Sequence, residues 1–324
     1  MTVRLASGLH LAFHEAALVD YSAMNLAHVE RENFKAMLTP SALGPKVVRD
    51  APFPTPWRTI LVADGAAALY NASDLTLNLN EPNALGDVSW VRPCKYVGIW
   101  WGMHLDVQSW SSGPKHGATT ANALRIIDFA RQNGFCGVLI EGWNVGWDGD
   151  WSGDNVSFTR AMPDFDLPRI AAYARANGVR LIGHHETSGN VANYEVQMGA
   201  GFDLYRSLGV ELVKTGYVAD AGGIRMREAD GAIGYEWHEG QAMVRHDLRV
   251  VTEAAKRHIA IDTHEPVKDT GLRRTHPNWV SREGQRGQEY NAWAVRRTRP
   301  SIKPTLCSHE CWAAHSISRR VCLA

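Results

Sequence analysis

From Lys95 onward the chain repeats one rhythm: a short, nearly all-apolar run, a loop, an amphipathic helix, and another apolar run. Tyr96–Trp101, Phe135–Ile140, Val179–Gly183, Val210–Val213 and His258–Ile261 are the apolar runs. The helices between them begin near Thr120, Leu167, Ala192 and Gly240. Leu124, Ile127 and Ala130 fall on one face of the first, which Asn133-Gly134 stops, and Gly178 stops the second. Strands this apolar are covered on both faces, and strand–helix repetition makes them parallel. Two architectures satisfy the pattern, a doubly wound sheet and a (β/α) barrel.

The polar residues decide between them. Trp100 and Trp101 end the first run, Glu141 follows the second, and His184, His185 and Glu186 follow the third. Lys214 follows the fourth, and His264 and Glu265 the fifth. A barrel gathers its site from the ends of many strands, whereas an open sheet concentrates it at one switch point. The chain has no GxGxxG or GxxxxGK[ST] after a strand, so a nucleotide fold is disfavoured. Residues 1–90 read differently: Leu9–His14, Thr59–Ala63 and Leu75–Leu79 are short runs among Pro and Gly, expected as antiparallel strands of a sandwich. The expected fold is therefore α/β, a partial (β/α)8 TIM-type barrel over 91–294 preceded by the C-terminal part of a β-sandwich domain over 1–90. Residues 295–324 lack an apolar period and read as an aberrant tail, out of frame with what precedes it.

Charge narrows the function classes. Lys plus Arg and Asp plus Glu both number 34, which argues against a nucleic-acid or membrane-surface partner. No run reaches the roughly 20 apolar residues of a membrane span, and the first residues do not have the pattern of a signal peptide. Five cysteines without a CxxC predict no disulfide framework. Glu141, Glu186, Glu265, Glu283 and Glu289 are expected to converge on one barrel mouth. Clustered carboxylates require a cation, protonation, or both, and hard oxygen ligands suit Ca²⁺ or Mg²⁺ better than Zn²⁺. His14-Glu15, His185-Glu186, His238-Glu239 and His264-Glu265 do not form an HExxH zinc motif. Two carboxyls with separated pKa values give the acid and base of glycoside hydrolysis. Trp143 and Trp147, in a Gly-rich loop beyond Glu141, are expected to line a sugar site, with Trp101 as a further substrate contact.

The segments KYVGIWWGMH (95–104), HGATTANALRIIDFA (116–130), LIEGWNVGW (139–147), MPDFDL (162–167), HHETSGN (184–190), VKTGYV (213–218), HEPVKDTGLRRTHPN (264–278) and EGQRGQEYNAW (283–293) together resemble glycoside hydrolase family 97. HEAALVDY (14–21) and LNLNEPN (77–83) resemble the end of that family's β-sandwich domain. The resemblance implies an α-glucosidase or α-galactosidase with a calcium ion at its active site. By motif it makes Glu289 the general acid, and Glu186 and Glu265 the bases that activate water. Glu15, Glu265, Glu283 and Glu289 would hold Ca²⁺, and Glu141, His184, Lys214 and His264 would bind the sugar. Retaining members carry an Asp nucleophile in a KVDF pattern, where this chain reads KTGY with Gly216, and they lack the HEP glutamate that is present here as Glu265. Both differences imply the inverting, α-glucosidase branch, whose acid and base stand about 6.5–9.5 Å apart. The resemblance also implies an oligosaccharide substrate and an exported protein, with the front of the sandwich and the last barrel strands missing from this chain. Two other readings are a metal-dependent amide or phosphate hydrolase, which needs transition-metal ligands, and a non-catalytic carbohydrate-binding remnant.

Overall fold

The computed structural model describes residues 1–31, 33–149 and 151–284. The tail and Glu289 lie outside the described residues. The N-terminal part contains β1 (Thr2–Arg4), β2 (His10–Ala16), β3 (Met24–Glu30), β4 (Asn33–Leu38) and β5 (Trp57–Ala63), then two short helices, α1 (Ala66–Asn71) and α2 (Asp74–Asn78). β1, β2 and β5 form one antiparallel sheet, and β3 and β4 form a second, two-stranded one. The Leu75–Leu79 run, expected as a strand, is instead the short helix α2. Leu75, Leu77 and Leu79 alternate with Thr76 and Asn78 as a strand would, and five residues are too few for that alternation to exclude a helix.

The rest is built from β6 (Tyr96–Gly98), α3 (Trp100–His104), α4 (Thr120–Gln132), β7 (Gly137–Leu139), α5 (Leu167–Ala176), β8 (Arg180–Glu186), α6 (Val191–Ser207) and β9 (Leu212–Gly216). A hairpin of β10 (Ile224–Arg227) and β11 (Ile233–Glu236) follows, then α7 (Gln241–Ala255), β12 (Ala260–His264) and β13 (Trp279–Glu283). β6, β7, β8, β9, β12 and β13 lie side by side in that order, and every pairing is parallel. Strand order that follows chain order, without reversal, is barrel winding and contains no switch point. The sheet is the curled wall of a partial barrel.

Local chemistry fixes the helix ends. Thr119 caps α4 by accepting the Asn122 amide at 3.2 Å, Asp166 caps α5 through Arg169 N at 3.0 Å, and Asn190 caps α6 through Asn193 N at 3.1 Å. Gly134 and Gly178 take φ of 71° and 68° just past α4 and α5, the left-handed residues that end them. Ile127, Ala130, Ile170, Phe202, Val213, Val251 and Ile261 are buried in the main core between these helices and the sheet. Cys94 and Cys136 form a disulfide with Cα atoms 5.7 Å apart, which corrects the expectation of no disulfide framework. Their sequence separation of 42 hides a proximity that arises only when β6 and β7 pair.

Candidate active site

The parallel strands place their C-terminal residues along one rim. Lys214, on β9, is the centre of charge there: its Nζ lies 3.2 Å from Glu141 Oε1 and 3.2 Å from Glu283 Oε2. Burial opposes the lysine's charge, yet Glu283 and Glu141 outweigh it and raise the ammonium well above its ordinary value. Glu283 is the converse: burial works against its charge, and Lys214 and His264 pull the carboxyl down to about 2. His264 spans two carboxylates, with Nδ1 3.1 Å from Glu265 Oε1 and Nε2 3.5 Å from Glu283 Oε1. His184 Nε2 is 4.0 Å from Glu141 Oε1, and burial together with Lys214 drives this imidazole well below its usual pKa, so it is neutral.

Glu186 and Glu265 behave as a pair. Burial raises Glu186 to about 7, although it accepts the Ser188 amide at 2.8 Å and the Val218 amide at 3.3 Å. Burial and the charge of Glu186 raise Glu265 to about 8, while its Oε2 accepts the Tyr217 amide at 2.9 Å. Glu265 has φ of 49°, a left-handed conformation that costs a non-glycine residue free energy and recurs at functional positions. One ligand atom each from Glu186, His264 and Glu265 lies within 4.8 Å of the others, a group able to hold a metal ion. Gly216 lies directly beside it. A Cβ on Gly216 would fall on Glu186 Oε2, so this position must be glycine for the carboxylate to sit where it does.

Six of the residues expected at the site therefore come together: Glu141, Glu186, Lys214, His264, Glu265 and Glu283, with His184 beside Glu141. Glu15 does not belong to the metal-competent group. It is fully buried on β2, its carboxylate is paired with Lys268 at 2.8 Å and with Arg58, and it accepts the Met24 amide at 2.7 Å. Trp101 lies on α3 rather than at a strand end, half exposed, with its ring edge-on to His104 at 5.0 Å. Trp143 is a core residue whose indole N–H donates to the His184 carbonyl at 2.9 Å, so it fixes the strand end instead of facing sugar. Trp147 does reach the rim, its ring 6.0 Å from His184 and 4.9 Å from Trp110. Tyr96 and Asp262 were not visible as site residues in the sequence. Tyr96 Oη donates to Asp262 Oδ2 at 2.7 Å, and Asp262, the register partner of Lys214 across β9 and β12, adds to the charge felt by the lysine. Each sits inside an apolar strand, and alternate positions of β6 and β12 facing the barrel interior were the available signal.

Comparison with known proteins agrees with this arrangement. The family model for glycoside hydrolase 97 matches residues 100–285, and that for the glycosyl-hydrolase 97 N-terminal domain matches residues 1–82. A glycoside hydrolase family 97 enzyme from Pseudoalteromonas sp. strain K8, solved in complex with acarbose, superposes with a TM-score of 0.94 at 53% identity, covering 97% of this chain and 47% of its own. A variant of that enzyme was solved with panose at the same score, identity and coverage. A retaining alpha-galactosidase of Bacteroides thetaiotaomicron is 27% identical over 250 residues, 76% of this chain and 32% of the relative. The chain thus spans about a third of the curated relative and just under half of the solved enzymes. With the strand order, the rim of carboxylates and both matched regions in place, the chain belongs to glycoside hydrolase family 97.

Proposed function

We propose that this chain carries most of the site of a calcium-dependent α-glucosidase that removes terminal α-glucosyl units from oligosaccharides with inversion. The observation that carries the reading is the Gly216–Glu186 contact. A retaining enzyme needs a nucleophile close to the sugar, and at the end of β9 the space for a side chain is taken by the Glu186 carboxylate. Glu186 and Glu265 then serve as bases, each held through one oxygen by backbone amides, Glu186 by Ser188 and Val218 and Glu265 by Tyr217. Lys214, flanked by Glu141 and Glu283, offers a fixed cationic donor to a sugar hydroxyl. Neutral His184 can donate from one ring nitrogen and accept at the other, and His264 can donate between Glu265 and Glu283. Glu289, from the RGQE motif, is the proposed general acid.

The donor set fits a hard divalent cation. Two facing carboxyls, the buried Glu186 and the partly buried Glu265, hold more potential negative charge than their own amide donors neutralise, and Glu283 stands one histidine away. Glu265 and Glu283, with Glu289, are the residues that would hold calcium, whereas the oxygens of Glu15 are already committed to Lys268, Arg58 and Met24. Bound calcium supplies a fixed positive charge that favours the ionised form of the bases.

Acarbose and panose in the 53%-identical structures support the glucoside reading, and the names of the 27%- and 23%-identical relatives support an α-galactosidase as the second. Time-resolved NMR of the first product decides the mechanism. Release of β-glucose from an α-glucoside is expected; an α-anomer, or turnover of α-galactosides alone, overturns the proposal.

A further inference from the structure

We infer a second divalent-cation site, outside the strand-end carboxylates, formed by Glu228 and Glu236 of the β10–β11 hairpin with the Pro40–Ser41 segment. Register places the two acids together. Ile224 pairs with Glu236 and Met226 with Gly234, and Glu228 extends the ladder through its amide to Ala232 O at 2.8 Å. Ile224, Met226 and Glu228 therefore share one face with Gly234 and Glu236. That face is turned inward, for Ile224 and Met226 are buried while Ile233 and Tyr235 are exposed on the other.

Glu236 is only 4% exposed, yet just one of its oxygens is satisfied by a side chain: Oε1 accepts Ser41 Oγ at 2.9 Å. Glu236 Oε2 and Glu228 Oε1 are both buried without a hydrogen-bond partner among the described residues. Glu228 Oε1 takes the space that a Cβ on Gly234 would need, which sets it beside Glu236 on the shared face. Two backbone carbonyls stand on the same side of Gly240 as Glu236 Oε2. The point where a Cβ on Gly240 would stand is 3.2 Å from the Trp237 carbonyl, 3.3 Å from Glu236 Oε2 and 3.4 Å from the Pro40 carbonyl. Burial raises the Glu236 carboxyl and the Glu228 charge adds to it, while the Ser41 hydroxyl and the Trp237 amide oppose. Two carboxylates balance a doubly charged ion, and carboxylate plus carbonyl oxygens in loose geometry suit calcium better than magnesium, which demands a tight octahedron. Buried carboxylate oxygens short of partners cost free energy that such an ion would offset.

This site does not depend on the activity proposed above. The test is calcium titration of the intact chain by calorimetry, beside E236Q and E228Q. Each variant is expected to bind one ion fewer per chain than the parent and to lose the matching part of the calcium-induced rise in melting temperature. Hydrolysis, where measurable, is expected to stay at the parental rate. Terbium emission sensitised by Trp237 should fall in W237F by the same component that E236Q removes. If E236Q fails to fold, E228Q, whose residue is half-buried, carries the test alone. Unchanged ion stoichiometry in a folded variant overturns the site. Failure of the catalytic calcium would instead appear as a parent that binds a single ion, still lost in E236Q.

Discussion

Glu186 Oε2 fills the volume that a Cβ on residue 216 would need, and this ties a backbone choice to a chemical one. Any Cβ at 216 meets Glu186 Oε2, so Gly216→Ala is expected to displace the carboxylate without unfolding β9. The expected result is a kcat reduced about 10²–10⁴-fold, the ordinary contribution of a positioned base, with an unchanged far-ultraviolet circular dichroism spectrum. Glu186→Gln removes the same base isosterically and should fall in the same range. A Gly216→Ala enzyme with parental kcat would show that Glu186 does not act from this position. The site's main members were legible because each is the polar residue that closes an apolar run: Glu141, His184, Glu186, Lys214, His264 and Glu265 all lie where a strand ends. Trp143 misled because a tryptophan in a glycine-rich loop looks exposed until packing buries it under Phe165 and Tyr205. Glu15 belongs to a different class, since only the fold brings Arg58 and Lys268 to its carboxylate.

At the scale of elements, the apolar runs and glycine stops that outline the barrel needed only local information, and strand order followed from them. The two five-residue helices α2 and α3 did not. Trp100 and Trp101 continued an apolar run whose strand ends at Gly98, and the chain there turns into a helix with Ile99 at its N-terminal boundary. The Cys94–Cys136 bridge is the element-scale feature the sequence hid most completely. It joins the start of β6 to the start of β7, the first pairing of the sheet, and closes a loop that contains α3 and α4. Cys136→Ser is expected to lower stability under oxidising conditions by about 2–4 kcal/mol, as cross-links of this loop length do, and to have much less effect in excess reductant. A thiol titration of the denatured chain should find two fewer thiols before reduction than after it. Equal thiol counts would remove the bridge.

The largest scale concerns how the N-terminal sheets meet the barrel, and here no local pattern helps, because partners lie some 190–255 residues apart. His14 Nε2 bonds the Asp269 carbonyl at 2.8 Å, the Ala17 amide donates to Thr270 O at 3.0 Å, and Asn80 Nδ2 donates to Thr270 O at 2.9 Å. Gln241 accepts the Val48 amide at 2.9 Å and donates to the Asp20 carbonyl at 3.1 Å. Leu18 and Ala23 lie in the same buried cluster as Met243, Val244 and Val267, so apolar surface from both parts is removed from water together. Lys268, three residues beyond Glu265, links this interface to the site through its ion pair with the fully buried Glu15. Parts sharing a core and a buried ion pair should unfold as one unit, giving a single calorimetric transition. Lys268→Met leaves the Glu15 carboxylate buried with Arg58 as its remaining cation. A cost of about 3 kcal/mol is expected, at the low end for a broken buried pair because Arg58 remains and Lys268 is itself partly exposed. The transition should therefore move down by several degrees and remain single. Two separate transitions in the parent chain would show that the sheets and the barrel are held independently. A Lys268→Met chain that splits one transition into two would show that this single ion pair couples them.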